Sequence, residues 1–203
     1  MTSIKICGIT REEDLVLAED LAIEYIGFNF VSTSPRSIVI DRAKALTSGL
    51  KRSKAVGIVI GGTGADLKGI IEGVRLDAIQ IYDPTLEELL LIKQSSLRLI
   101  HAWRSVPDID VLETIIASGD EILLDGMKNG SMADLREISR LPAQIRSHLF
   151  LAGGLTPENV ATAIDQVHPF AVDIASGIES TPGIKDHAKM RAFVEAVRSL
   201  TKK

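Results

Sequence analysis

Cys7 is the only cysteine in the 203 residues of this chain, and it lies between a short apolar run and Gly8. A single thiol cannot form a disulfide within the chain, so Cys7 is either a buried, inert side chain or a reactive group. The end of a strand, followed by glycine and the start of a helix, is where barrel enzymes place catalytic side chains. The residue type alone slightly favours inert packing, and the other motifs of the chain favour reactivity.

Asp125 and Arg36 are two further side chains whose positions indicate chemistry. Asp125 follows another apolar run, so a thiol and a carboxyl could act as base and acid on two sides of one ligand. The alternative for Asp125 is a turn or a helix cap, because Asp-Gly is also common turn sequence. Arg36 could bind a substrate carboxylate through its forked donors, or it could form a surface salt bridge.

Two glycine-containing pairs, Gly153-Gly154 and Ser176-Gly177, follow the last two apolar runs. Glycines at these points let backbone amides approach a ligand, and barrels often bind phosphate after their seventh and eighth strands. A short turn at 178–180 could supply an extra helix that faces the phosphate. The alternative is that both pairs only form tight turns. Their joint occurrence favours a small phosphorylated metabolite as the ligand.

Apolar, β-branched runs recur roughly every 20 to 30 residues, and a helical pattern follows each of them. This pattern predicts short strands, and these strands would position the residues named above. The predicted strands are 4–7, 25–30, 55–60, 78–82, 97–103, 121–125, 149–152 and 171–175. Eight strand–helix units without a long linker predict a single α/β domain over residues 1–203, a (β/α)8 TIM barrel. A doubly wound open sheet also alternates, but it rarely needs eight regular units.

Helix-start signals follow two of these strands. Thr10-Arg11-Glu12-Glu13 fits a capping box, and Thr156-Pro157 would cap the helix after the seventh strand. A last helix is predicted over 184–200 from its three- and four-residue apolar spacing. In a barrel the helices aim their N-termini at the mouth, and this field suits anions and thiolates.

Two other groups of residues indicate little chemistry. The Gly61-Gly62-Thr63-Gly64 segment lacks the lysine and the spacing of a P-loop, so we interpret it as a flexible turn. The four histidines show no metal-ligand spacing. Only His101 could point into the barrel, and a core histidine with satisfied hydrogen bonds is the better interpretation. We therefore predict no metal.

Composition excludes several classes of protein. A net charge of −4, with 45% apolar and 25% charged residues, indicates a globular protein and argues against a nucleic-acid-binding surface. No stretch approaches the roughly 20 apolar residues that span a membrane, and no signal-peptide pattern precedes the first strand. Together with the single cysteine, these features predict a cytoplasmic protein. Monomer and homodimer both stay open.

Several strings of the chain occur in an order typical of one enzyme family. They are Lys5-Ile6-Cys7-Gly8-Ile9-Thr10, Gly27-Phe28, Ser34-Pro35-Arg36, Leu123-Leu124-Asp125-Gly126, the segment from Leu151 to Asn159, and the segment from Asp173 to Glu179 followed by Pro182-Gly183-Ile184-Lys185-Asp186. In these strings the chain resembles the phosphoribosylanthranilate isomerases. The resemblance implies a small (β/α)8 barrel of tryptophan biosynthesis that uses no cofactor.

The resemblance also implies a reaction, the Amadori rearrangement of N-(5′-phosphoribosyl)anthranilate to 1-(2-carboxyphenylamino)-1-deoxyribulose 5-phosphate. Asp125 would protonate the ribose ring oxygen, and Cys7, as thiolate, would remove a proton from the adjacent sugar carbon. Arg36 would pair with the anthranilate carboxylate. The backbone around Gly153-Gly154 and Ser176-Gly177 would bind the phosphate.

These roles require opposite pKa shifts at the base and the acid. The pKa of the Cys7 thiol must fall, through helix N-termini or a cation such as Lys5, which lies on the same side of the strand. The pKa of Asp125 must rise, most simply through burial beneath the bound ligand.

The chain departs from the family pattern at several places. Tyr82-Asp83-Pro84 replaces a His-Gly-acidic turn, His101 replaces a lysine, and the loop at 127–132 has fewer glycines than the family's. Two other functions therefore stay open. One is another phosphosugar isomerase or epimerase, and the other is a catalytically silent barrel that binds a phosphorylated ligand.

Overall fold

The computed structural model describes residues 1–63, 66–125 and 132–200. Within them, eight parallel strands form a closed barrel in chain order, and the last of these strands pairs with the first. The strands are β1 Ser3–Cys7, β2 Tyr25–Asn29, β3 Lys54–Ile60, β4 Ala78–Tyr82, β5 Arg98–Trp103, β6 Glu121–Leu124, β7 Leu149–Leu151 and β8 Ala171–Ile174. The predicted (β/α)8 barrel is confirmed.

Helices connect the strands and surround the barrel. They are α1 Glu12–Asp20, α2 Ile40–Thr47, α3 Leu67–Gly73, α4 Leu86–Gln94, α5 Ile109–Ala117, α6 Met132–Ser139, α7 Ala143–Arg146, α8 Val160–Val167 and α9 His187–Ser199. An antiparallel hairpin, β9 Glu179–Thr181 and β10 Ile184–Lys185, lies between β8 and α9. None of the helices in the described ranges is long and apolar enough to cross a membrane.

Side chains of the strands alternate between the barrel interior and the surrounding helices. Tyr25, Val56 and Phe150 belong to the inner apolar cluster, where the Tyr25 and Phe150 rings meet edge to face at 5.2 Å. Side chains of the opposite parity, such as Ile6 and Ile26, pack in the outer cluster with the helices. The strands therefore read as continuous apolar runs because both of their faces are covered.

The strand boundaries agree with the predicted ones to within one residue, whereas the predicted helix starts are wrong. The hydroxyl of Thr10 donates to the Gly183 carbonyl oxygen at 2.6 Å, and α1 begins at Glu12 without a side-chain cap. Likewise Asn159, and not Thr156, precedes α8. The last helix begins three residues later than predicted, because residues 184 and 185 pair in the hairpin.

Lys185 of the hairpin holds the ends of the first and last barrel strands together. Its ammonium donates to the Cys7 carbonyl at 2.7 Å, to the Ala175 carbonyl at 3.3 Å and to the Glu179 carboxylate at 2.8 Å. A buried cation is stable only with such partners. The contacts therefore fix the end of β1, which carries Cys7, against the turn that follows β8.

Candidate active site

A pocket of about 420 Å³ opens at the carboxyl ends of the barrel strands. All of the site residues predicted from the sequence line it: Cys7, Arg36, Asp125, Gly153, Gly154, Ser176 and Gly177. Cys7 ends β1 and the others follow β2, β6, β7 and β8, so only closure of the barrel makes them neighbours. This is the end of a (β/α)8 barrel at which active sites lie.

Cys7 is the last residue of β1, and its side chain is partly buried. Gly27 on the paired strand leaves room for the thiol, since a Cβ added there would lie 3.3 Å from the Cys7 Sγ. Burial raises the pKa of the Cys7 thiol above its ordinary value, and the cation Lys5 opposes this only in part. The predicted cationic neighbour is therefore present, but the expected low pKa of the thiol is not found.

Lys5 and Asp173 form an ion pair inside the barrel, next to the thiol. The Lys5 Nζ lies 2.9 Å from the Asp173 Oδ1, and the two side chains are 0% and 8% exposed. Although burial disfavours the ammonium, the charges of Asp173 and Cys7 hold the pKa of Lys5 above its ordinary value. Sequence reasoning assigned no role to Asp173. An acidic residue inside the apolar run of β8 was the signal that could have identified it.

Asp125 directly follows β6, where its backbone N–H donates to the Trp103 carbonyl oxygen at 2.8 Å. Its side chain is exposed at the pocket, where the Oδ2 accepts a hydrogen bond from Tyr82. Desolvation by the protein around the pocket, with the charge of Asp173, raises the pKa of the Asp125 carboxyl, against smaller lowering effects from Tyr82, Arg104 and Lys5. The direction is the one that a general acid requires.

Arg36 lines the pocket and also forms the salt bridge that was its alternative interpretation. Its Nε and Nη2 donate to the two carboxylate oxygens of Glu179 at 2.8 and 2.6 Å. Gly8 permits this placement, because a Cβ there would lie 2.5 Å from the Arg36 Cδ. Since Glu179 also pairs with Lys185, two cations share one carboxylate, which leaves positive charge at this side of the pocket.

The backbone after β7 and β8 forms a second polar corner. Gly153 and Gly154 have φ angles of +94° and +58°, which other residues rarely adopt. In the described part of the chain, their N–H groups donate to no protein acceptor. The predicted position of the extra helix, 178–180, is wrong: a 3-10 turn lies earlier, over Ser176–Ile178, and residues 179 and 180 belong to strand β9. A Cβ on Gly177 in this turn would overlap the Leu155 carbonyl oxygen. Such free amides suit an anion.

Tyr82 and Arg104 are pocket residues that sequence reasoning did not include in the site. The Tyr82 hydroxyl donates to the Asp125 Oδ2 at 3.3 Å, and it accepts from the Gln80 Nε2 at 3.4 Å. The guanidinium of Arg104 lies over the Tyr82 ring, 4.7 Å from its centroid. Tyr82 therefore contacts the predicted acid.

The remaining predicted features lie away from the pocket. His101 packs outside the barrel, with its ring 5.7 Å from that of Trp103 and its Nε2 3.3 Å from Asp120, so its interpretation as a satisfied histidine is confirmed. Glu88 accepts a hydrogen bond from the Gly62 N–H at 3.0 Å, which holds the glycine-rich turn against α4. Gly64 and residues 127–131 lie outside the described ranges.

Fold and site together define a (β/α)8-barrel enzyme with a thiol and a carboxyl in one pocket. The sequence model of the family described as N-(5′-phosphoribosyl)anthranilate (PRA) isomerase matches residues 4–196. An N-(5′-phosphoribosyl)anthranilate isomerase of Pseudomonas aeruginosa (strain UCBPP-PA14) is 39% identical over 204 residues, covering 97% of this chain and 95% of the relative. The chain belongs to the N-(5′-phosphoribosyl)anthranilate isomerase family.

Solved structures give the same assignment. A phosphoribosylanthranilate isomerase in complex with reduced 1-(o-carboxyphenylamino)-1-deoxyribulose 5-phosphate superposes with a TM-score of 0.83 at 31% identity, covering 98% of this chain and 100% of that one. A monomeric form of the dimeric enzyme from Thermotoga maritima gives 0.80 at 31% identity, covering 98% and 99%. The predicted family and the predicted isomerase class are confirmed.

Proposed function

We propose that this chain catalyses the Amadori rearrangement of N-(5′-phosphoribosyl)anthranilate to 1-(2-carboxyphenylamino)-1-deoxyribulose 5-phosphate in tryptophan biosynthesis. The observation that carries the proposal is the placement of Cys7 and Asp125 on one pocket that also contains the free amides after β7. A relative of similar fold binds a reduced form of this product. Family membership therefore supplies the substrate, and the pocket supplies residues for each step.

In the first step the Asp125 carboxyl gives its proton to the ribose ring oxygen. The bond between that oxygen and the anomeric carbon breaks, and the anthranilate nitrogen becomes a Schiff-base cation. The raised pKa of Asp125 keeps the carboxyl protonated to higher pH than that of an ordinary aspartate. The resulting carboxylate is stabilised by the cations Lys5 and Arg104.

In the second step the Cys7 thiolate removes the proton from the adjacent sugar carbon. The electron pair of the broken C–H bond neutralises the Schiff base, and the enolamine then tautomerises to the ketone. Burial disfavours the thiolate, so it is formed best when the cationic intermediate lies beside it and adds to the charge of Lys5. The substrate gains one proton from Asp125 and loses one to Cys7, so the rearrangement is balanced and needs no cofactor.

Two anion sites hold the substrate between acid and base. Arg36 keeps its Nη1 group for the anthranilate carboxylate while Glu179 orients the guanidinium. The N–H groups of Gly153 and Gly154, together with the Ser176-Gly177 turn, bind the phosphate. The enzyme is expected to work in the cytoplasm on this small phosphorylated substrate, as a monomer or a homodimer, without nucleic acid or membrane.

The test is steady-state turnover of freshly prepared phosphoribosylanthranilate, followed by the loss of its fluorescence. We expect a bell-shaped pH dependence for the native chain, and a decrease in kcat of about 100-fold or more in Cys7→Ser and in Asp125→Asn. Asp41→Asn is the control, because it removes an exposed carboxyl from the start of α2. Folded native protein without turnover would contradict the proposal.

A further inference from the structure

Tyr82 contacts the predicted acid, Asp125, but is not itself proposed to transfer a proton to the substrate. Its hydroxyl is 3.3 Å from the Asp125 Oδ2, and the Gln80 Nε2 is 3.4 Å from the same hydroxyl. Gln80 is almost fully buried on the inner face of β4, two residues before Tyr82. The three polar groups thus form a series of hydrogen bonds that runs from Gln80 through Tyr82 to the Asp125 carboxyl.

The donor groups in this series fix the direction of its hydrogen bonds. The Gln80 amide nitrogen carries only donors, so the Tyr82 oxygen accepts from it and turns its own hydrogen towards Asp125. The Asp125 Oδ2 then accepts, and a proton on this carboxyl must be carried by Oδ1. A general acid whose proton stays on one oxygen can be aimed at one atom of the substrate.

The ring of Tyr82 is held from its other side. The Arg104 guanidinium lies 4.7 Å from the ring centroid, and its Nη1 is 3.2 Å from the Asp83 carboxylate in the turn that follows β4. A cation therefore contacts the ring face, and an amide contacts the hydroxyl. Replacement by phenylalanine keeps this packing and removes only the oxygen.

We propose that Tyr82 is a positioning residue that keeps the acidic proton of Asp125 on Oδ1, from which it is transferred to the ring oxygen. The inference rests on the proposed function, in which Asp125 is the general acid. The phenol stays neutral around neutral pH, because burial raises its pKa.

Other charges also act on Asp125 and must stay constant in a test. Asp173 on β8 disfavours the carboxylate, while Arg104 after β5 and Lys5 on β1 favour it. The hydrogen bond from Tyr82 also favours the carboxylate. Removing only that bond should therefore raise the pKa of Asp125, and a purely structural role for Tyr82 would leave it unchanged.

The test compares Tyr82→Phe and Gln80→Met with the native chain. Both hydrogen bonds are longer than the usual value of about 2.8–3.0 Å, so we expect a loss in kcat of about fivefold in Tyr82→Phe, with KM unchanged. Gln80→Met should have a smaller effect, and none when it is added to Tyr82→Phe. Tyr25→Phe, in the inner apolar cluster of the same barrel, is the matched control and should resemble the native chain.

A second readout does not depend on turnover. Carbon-13 NMR of carboxyl-labelled aspartate follows the titration of Asp125, whose signal is assigned by its absence in Asp125→Asn. A higher titration midpoint in Tyr82→Phe, with the loss in kcat, supports the proposal. An unchanged midpoint, or a rise in KM with kcat unchanged, would overturn it. Native protein without turnover would instead overturn the proposed function, and with it the role of Tyr82 in proton transfer.

Discussion

The ion pair between Lys5 and Asp173 supports a prediction about the stability of the barrel. We consider Lys5→Met, which keeps the length of the side chain and removes its charge. The native ammonium is fully buried and lies 2.9 Å from the carboxylate, while Asp173 reaches the pocket. The substitution leaves that carboxylate inside the barrel without its cation.

The expected magnitude follows from the burial of the pair. Removing one partner of a buried ion pair lowers the free energy of unfolding by about 3–5 kcal/mol, because the other charge is left uncompensated. The opening of Asp173 to the pocket admits solvent, so we expect the lower end, about 3 kcal/mol. The pKa of Lys5 is raised in the folded protein, so the part of the stabilisation that depends on its charge is present in full below about pH 10 and is lost as the pH rises through the pKa of the folded state.

Urea unfolding at pH 7 measures this loss, and two further variants interpret it. Lys5→Met with Asp173→Asn removes both charges and should be no less stable than either single variant. Lys93→Met is the matched control, since its pair with Asp120 is as close, at 2.6 Å, but the lysine is 46% exposed, and we expect a loss below about 1 kcal/mol. If the single losses simply add in the double variant, the two charges are not coupled and the reasoning is refuted.

Two other predictions concern the anion sites. Gly177→Ala should raise KM by about tenfold, because the added methyl overlaps the Leu155 carbonyl and displaces the turn that we propose binds the phosphate; substrate titration checks this. Glu179→Gln should destabilise the protein at pH 7 more than at pH 3. Hydrogen bonds from Arg36 and Lys185 outweigh burial and lower the pKa of Glu179, so its contribution exists above about pH 4.3 and is lost as the pH falls; urea unfolding at both pH values measures it.

The barrel and its pocket could be predicted because the information is local. Each strand is a short apolar run, and the residue that follows it must lie at the barrel mouth. Cys7, Asp125 and the glycine pairs were identified in this way, and all of them line the pocket. The strand ends therefore predicted the site more reliably than any single motif did.

What could not be predicted depends on contacts between residues far apart in the sequence. The sequence predicts Glu13 as the capping partner of Thr10, but the Thr10 hydroxyl donates instead to the carbonyl oxygen of Gly183, which lies 173 residues away. Arg36 and Glu179 are 143 residues apart, so the sequence around either residue does not indicate that the two form a salt bridge. A capping box does form at Thr85 and Glu88, a pair that was not predicted from the sequence. A capping pattern alone does not show which competing partner the fold supplies.

The charges around Cys7 connect the architecture of the barrel to the substrate. Asp173 pairs with Lys5, and Glu179 pairs with both Arg36 and Lys185, so three cations contact two carboxylates. The excess positive charge persists only if Asp125 is protonated, because an ionised Asp125 would cancel it. In the proposed mechanism, the upward shift of the Asp125 pKa therefore favours both proton donation and the binding of a substrate with a carboxylate and a phosphate. The proton that Asp125 gives up in the proposed first step neutralises this excess positive charge, which stabilises the Schiff-base cation that Cys7 is proposed to deprotonate.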